Sequence, residues 1–147
     1  MLVALDNKAI SERWDVFKDV IRTCIPTTPD MLPDRMQRML HAALTGRIQC
    51  WFLYEKGDDF YGAMITKKGV DDLSGQSTLL IYALKVFGTA SRETRREDFK
   101  ALGRVAREMG CSHFSAYCGS AAVANAVIKA NEGHGEIINY VLVPIGD

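Results

Sequence analysis

Two thiols and an imidazole fall within one short stretch, Cys111-x-His113-x4-Cys118, and these are the donor types that a zinc ion takes. A tetrahedral site needs a fourth ligand, for which His134 is the one loose candidate, and the spacing matches no standard site. The residues are therefore read as free thiols beside a hydrogen-bonded histidine, and no metal is expected. Cys118-Gly119-Ser120 sets a thiol beside a turn, but no Cys-His-Asp order accompanies it, so Cys118 is read as a packing residue too.

Charge offers a second kind of chemistry. Arg96, Lys100, Arg104 and Arg107 recur at i, i+4, i+8 and i+11, a basic stripe with Arg92 and Arg95 near its start. Such a stripe suits an acidic protein partner or a phosphate backbone. Glu97, Asp98 and Glu108 dilute it toward an ordinary solvated face. Eighteen Lys+Arg against eighteen Asp+Glu leave the chain at zero formal charge, which sets aside a disordered acidic tail and a wholesale nucleic-acid coat. The stripe does not distinguish the two, with nucleic acid the less expected partner, and any electrostatic function must be local.

The elements that would carry these residues follow from hydrophobic period. With 147 residues, 48% apolar and 24% charged, the chain is expected to be one domain spanning 1–147. Ile10, Trp14, Phe17 and Ile21 mark one helix over 7–24, and Pro26 and Pro29 force a loop after it. Met36, Met39, Leu40, Ala43 and Leu44 mark a second helix over 34–45, closed by Gly46. The 48–54 and 60–66 stretches, with a turn over 56–59, read as a hairpin. After a polar loop over 71–76, residues 77–87 are apolar on both faces, so this third strand is expected to lie deepest.

Thr94-x-x-Glu97 reads as a capping box for a third helix, whose apolar face is Phe99, Leu102, Val105, Ala106 and Met109 and whose stop is Gly110. A short strand over 111–117, a helix over 120–131 and a last strand over 136–144 complete the order αα-ββ-β-α-β-α-β. The methionines at 36, 39, 64 and 109 sit at core spacing, whereas Met31-Leu32 in the Pro-rich loop is a candidate exposed contact. No stretch has the length of a membrane span, and the first residues lack the basic flank of a signal peptide, so cytoplasmic synthesis without membrane partners is expected.

This order resembles the GNAT (Gcn5-related N-acetyltransferase) fold over nearly the whole chain. Gly46-Arg47-Ile48 leading into a hairpin with Gly62, the apolar strand ahead of a helix, and Cys111-x6-Cys118 before an Ala-rich helix carry the resemblance. The implied fold class is α/β, a single GNAT-like domain with a central mixed sheet of five to six strands flanked by helices. The block Leu79-Leu80-Ile81-Tyr82-Ala83-Leu84, followed by a helix and Gly110-Cys111-Ser112, also looks like small GNAT-like proteins of tailed bacteriophages.

Enzymes of that family seat the acetyl-CoA pyrophosphate on a glycine-rich turn opening a helix, Arg/Gln-x-x-Gly-x-Gly/Ala, because backbone amides must approach the anion closely. Here the corresponding stretch, Gly88-Thr89-Ala90-Ser91-Arg92-Glu93-Thr94-Arg95-Arg96, has one glycine, at the strand end. Glu93, Glu97 and Asp98 would sit in or near the first helical turn and satisfy its dipole themselves. The family's proton-donating tyrosine, in a pattern like Asn-x-x-Ala-x-x-x-Tyr-x-Lys-x-Gly, aligns with Val127 when Lys129 is set on the motif lysine, with Ser120 at the asparagine and Asn131 at the glycine. Tyr117 and Tyr140 are the nearest phenols.

The reading that follows is a non-catalytic GNAT-like protein without cofactor, a tailed-phage virion or assembly component that binds phage structural proteins through Arg96, Lys100, Arg104 and Arg107. The alternative is an acetyl-CoA-dependent N-acyltransferase in which backbone groups from Leu84 to Val86 hold the pantetheine and the stretch from Gly88 to Ser91 holds the phosphates. One outcome is common to both, since neither implies disulfides. All four cysteines should react with a thiol reagent after denaturation without prior reduction, and fewer than four free thiols would contradict this.

Overall fold

Trp51 and Phe52 are neighbours in sequence and belong to different cores, because successive side chains of a strand leave opposite faces of its sheet. The computed structural model describes residues 1–24, 32–57, 59–118, 121–138, 143 and 145–146. In chain order the elements are β1 (Leu2–Ala4), α1 (Asn7–Glu12), α2 (Trp14–Cys24), α3 (Leu32–Leu44), β2 (Gln49–Tyr54), β3 (Phe60–Val70), β4 (Ser77–Val86), α4 (Arg92–Glu108), β5 (His113–Ala116) and α5 (Ala121–Ala130). The strands form one five-stranded mixed sheet in the order β1-β2-β3-β4-β5, antiparallel except for the parallel β4–β5 pair. This is the α/β class expected, a central mixed sheet flanked by helices.

One face of the sheet meets α1, α2 and α3 through Ile10, Phe17, Val20, Ile21, Met36, Met39, Phe52 and Ile65. Phe52 stacks on Phe60 at 4.2 Å and on Phe17 at 5.5 Å. The other face meets α4 through Trp51, Met64, Leu79, Ile81, Leu102, Ala106 and Cys111. Polar groups in these cores are paired. The fully buried Thr66 hydroxyl accepts from Trp51 Nε1 at 2.9 Å and donates to Gln49 Oε1 at 2.9 Å. All four thiols are free; Cys50 and Cys111 are interior, and burial pushes the Cys50 thiol up to about 12.

Several boundaries depart from expectation. The first helix is two, because Asp6 caps α1 by accepting from Ala9 N at 2.8 Å and the chain breaks helical geometry at Arg13 (φ −112°) before α2 begins. Both Ile10 and Phe17 still reach one core. The next helix starts earlier, at Leu32, with Pro33 in the first turn, where a missing N–H goes unneeded. β1 is too short to show a period, and its pairing of Val3 with Phe52 supplies an edge strand the sequence did not announce.

The deepest strands are β2 and β3 rather than β4, which buries only alternate residues along its middle. β5 is trimmed to four residues, with Cys111 ahead of it in the α4 core. The N-cap of α4 is Ser91, whose Oγ accepts from Thr94 N at 3.0 Å, so the expected Thr94–Glu97 box does not form. Asp98 faces inward and accepts from Tyr61 Oη at 2.5 Å, one turn past where it would meet the dipole. Gly62 has no room for a side chain, since a Cβ would lie 3.0 Å from Lys85 O and 3.1 Å from Leu53 Cδ1.

The last strand is not formed over Glu136, Ile137 and Ile138, which follow α5 through positive-φ residues Glu132, Gly133 and Gly135. An apolar run shows strand propensity but not a free edge to pair with. The rest of that stretch, 139–142 and 144, lies outside the described residues, as do the loop over 26–29, Met31, Gly119 and Ser120. Among the described residues no helix is long and apolar enough to cross a membrane.

The α4 core gives a direct test. Leu102 is 1% exposed, so Leu102→Ala should lower unfolding free energy by about 2–5 kcal/mol through the cavity it leaves. A urea transition unchanged in midpoint would show that α4 does not pack as described.

Candidate active site

The strand that matters most is β4, because it outruns its neighbour. β5 pairs with it only from Thr78 to Ile81, and the last bond across the pair is Tyr117 N to Ile81 O at 3.3 Å. Directly after Ile81 the β3–β4 register shifts: Ile81 faces Thr66 and Ala83 faces Ile65, leaving Tyr82 as an extra residue. A bulge bends its strand and sharpens local twist. β4 then continues to Val86, with no strand on its β5 side among the described residues.

Register fixes where the backbone of this free edge points. Phe87 N donates to Tyr61 O at 2.7 Å beside the Gly62–Val86 pair, so Lys85 bonds toward β3 while Leu84 and Val86 turn their N–H and C=O the other way. The Leu84 carbonyl accepts from Cys24 Sγ at 3.3 Å, which confirms that it faces away from β3. Around the bulge stand Tyr82, Tyr117 and Arg35. The two tyrosine rings meet edge-on at 6.0 Å, and Arg35 Nη2 donates to Tyr82 Oη at 2.5 Å. Tyr117 is 56% exposed.

Beyond β4 the chain enters α4, and here charge gathers. Arg92 and Arg96, one turn apart on α4, line a cavity of about 510 Å³ with Asn125, Ile128, Lys129, Glu132 and Gly133 from α5 and the turn after it. Arg96 Nη2 pairs with Glu132, and that hydrogen bond, reinforced by the arginine's charge, holds the Glu132 carboxyl below the usual carboxylate range. Among the described residues no ion pair neutralises Arg92 or Lys129, leaving the cavity net cationic. At the cap of α4, both oxygens of Glu55 lie 3.0 Å from Ser91 N, and Thr94 Oγ1 donates to Oε1 at 3.3 Å. The Ser91 amide bond, chiefly, lowers the Glu55 pKa.

The sequence-derived residues divide accordingly. Leu84, Val86, Gly88 and Ser91 follow one another along the free edge of β4 and into the α4 cap, though the Ser91 amide is already engaged by Glu55. The basic stripe does not stay together: Arg104 and Arg107 are exposed and Lys100 pairs with Glu97 at 3.4 Å, but Arg96 turns into the cavity toward α5. Cys111, His113 and Cys118 do not converge. His113 Nδ1 accepts from Gln76 Nε2 at 2.7 Å, and among the described residues no three His, Cys, Asp or Glu side chains could hold a metal. Glu55, Tyr82 and Lys129 were not marked as site residues by the sequence. A bulge and an interstrand carboxylate leave no periodic signal, although the Arg92–Arg96 spacing was visible.

No protein-family model matches this chain, and no curated protein matches it. Solved structures do. A probable acetyltransferase superposes with a TM-score of 0.67 at 16% identity, covering 100% of this chain and 99% of its own. A ribosomal-protein-alanine N-acetyltransferase from Brucella melitensis biovar Abortus 2308 gives 0.66 at 9% identity, with 99% of each chain covered. The aminoglycoside acetyltransferase AAC(6')-Iy, bound to a bisubstrate analogue built on CoA, gives 0.65 at 12%, covering 100% of this chain and 98% of its own.

These likenesses overturn the expectation of a non-catalytic tailed-phage component. The folds that match from end to end are those of acetyltransferases, and nothing in them ties the chain to a phage particle. The physical source of the error is local. Glycines are missing between Gly88 and Arg96, but Arg92, Arg96 and Lys129 gather around one cavity at the start of α4. Across its full length, this chain has the GNAT acetyltransferase fold.

Proposed function

We propose that the protein is an acyl-CoA-dependent N-acyltransferase, the observation that carries the reading being the free inner edge of β4 ending at a cationic cavity. An extended amide-bearing arm such as pantetheine can add to that edge as a strand would, bonding the Leu84 N–H and the N–H and C=O of Val86, while the Leu84 carbonyl accepts from Cys24 Sγ. Its phosphates would then arrive between Gly88 and Ser91, within reach of Arg92, Arg96 and Lys129. Guanidinium forks bind phosphate oxygens bidentately and need no close backbone approach, so the glycine-rich turn is dispensable here.

On this reading the reacting end of such an arm would lie near the bulge, where Tyr82 and Tyr117 meet. Acyl transfer requires a neutral amine to attack the thioester carbonyl carbon; the C–S bond then breaks, the amine loses a proton to solvent, and the departing thiolate takes one up. On this reading Tyr117, half exposed beside the bulge, supplies that proton and regains one from solvent. Tyr82, fixed by Arg35 from the α3 side, orients Tyr117 through their edge-on contact and is a positioning residue. The acceptor is a primary amine entering from the side of β4 opposite α4.

Calorimetry with acetyl-CoA tests the cofactor half. Micromolar binding is expected, equivalent to about 8 kcal/mol. Replacing Arg92, Arg96 and Lys129 together by Ala should weaken it at least about tenfold by removing charge-assisted contacts. Absence of binding in the parent protein would overturn the reading.

The catalytic half is tested by thiol release from acetyl-CoA in the presence of a panel of small primary amines, followed by chromatography. Tyr117→Phe should lower kcat by about a hundredfold with KM for acetyl-CoA little changed. An unchanged kcat would remove Tyr117 from the chemistry.

A further inference from the structure

α5 is built of apolar residues and buries none of them. Only Asn125 and Lys129 interrupt the Ala, Val and Ile of this ten-residue helix. A helix apolar on nearly every side belongs inside a protein rather than on its surface. A second gap lies on the same flank, since α4 packs against both α5 and β5, and β5 is the last strand of the sheet. Because Tyr117 N bonds Ile81 O across the register, His113 and Ser115 bond toward β4, and Phe114 and Ala116 turn their N–H and C=O groups to the open edge. The third feature is the arm that follows α5. Ile137, Ile138, Val143 and Ile145 are 55–98% exposed, and the stretch from Glu136 to Ile145 carries a single charge, Glu136.

We propose that this flank is an interface between two copies of the chain, in which the arm of one copy adds as a strand to the β5 edge of the other, beside its α5, and the second arm does the same in return. An unpaired edge is a template for another strand, and β-branched, nearly uncharged sequence is what such an edge accepts. Within one copy the two halves leave each other unfilled: Glu136, Ile137 and Ile138 form no strand, and among the described residues β5 pairs with β4 alone. An arm with one charge offers an acidic or basic partner little to read, whereas a second copy presents the edge and the apolar helix that the arm lacks. Reach is sufficient, since residues 136–143 extend over about 25 Å, roughly twice the length of β5. Glu132, Gly133 and Gly135, all at positive φ, turn the chain out of α5 ahead of the arm. Reciprocal exchange closes at two copies and leaves no β5 edge open for further growth. The acyl-CoA reading is not needed for this contact.

The experiment is sedimentation velocity on the full-length protein across the micromolar range, with thermal melts at each concentration, for the parent, Ile138→Asp and Ala116→Pro. The parent should sediment as a dimer and its melting temperature should rise with concentration. Ile138→Asp places a charge on the arm at a residue 79% exposed in the single chain, so that chain should still fold while dimerisation weakens at least about tenfold. Ala116→Pro removes an N–H that faces the open edge and not β4, so it should act alike. A parent that stays monomeric throughout would overturn the proposal, and a lower melting temperature for monomeric Ile138→Asp would then assign the arm to its own β5. A dimer that survives Ile138→Asp would overturn it as well. A dimer lost in Ile138→Asp and kept in a folded Ala116→Pro would overturn strand addition at β5.

Discussion

One residue too many in β4 determines the rest of the molecule's working end. Through Ile81 the strand is held on both sides, by β3 and by β5, and there is no room for anything but sheet. At Tyr82 the register slips, the strand bends, and β5 no longer follows. Without that step the outward groups of Leu84 and Val86 would bond to β5, as those of Thr78 to Ile81 do, and the sheet would close. The bulge also needs firm support opposite. Thr66, the residue facing Ile81 across the shift, is buried and held between the Trp51 indole and the Gln49 amide. A polar network inside the sheet thus fixes where the opening begins.

The electrostatics of the far end follow a different design from a glycine cradle. Amides that bind phosphate directly require small residues, whereas cations on side chains work at longer reach and tolerate ordinary backbone. Arg92 and Arg96 stand one turn apart on α4, and Lys129 approaches from α5, so the positive charge around the cavity is shared between two helices. Glu132 neutralises Arg96 alone. The arrangement makes α5 part of the site by charge, although none of its residues is buried.

How far the sequence could be read depended on whether a feature was local. Helix faces such as Phe17–Ile21 and Leu102–Ala106 were legible because burial on one side imposes a period on neighbouring residues. Gly46 and Gly110 marked helix ends because both adopt positive φ, 77° and 79°. The hairpin and the long strand were legible for the same local reason. What escaped were features defined by two distant segments: β1 against β2, Glu55 on the cap of α4, and the offset of β4 past β5. Leu84 and Val86 were marked through resemblance, and their outward backbone follows from register alone. The missing glycines were legible, but the approach of Lys129 on α5 to Arg92 and Arg96 on α4 was not.

The pairing of Tyr61 with Asp98 has a mechanical meaning. It ties the second turn of α4 to β3 by a short buried bond, with Asp98 also meeting the Met1 amine at 3.0 Å, while Leu102 and Ala106 are packed further along. α4 is thereby clamped against the sheet along its length. α5, with no buried residue and its main contacts to α4, has no such clamp. The two walls of the cationic cavity are therefore held differently among the described residues: α4 by the sheet, α5 mainly by α4. On the reading proposed above, an anion held between them would be released by movement of α5 rather than of α4, so its residence would follow the stability of a ten-residue helix and not that of the whole fold.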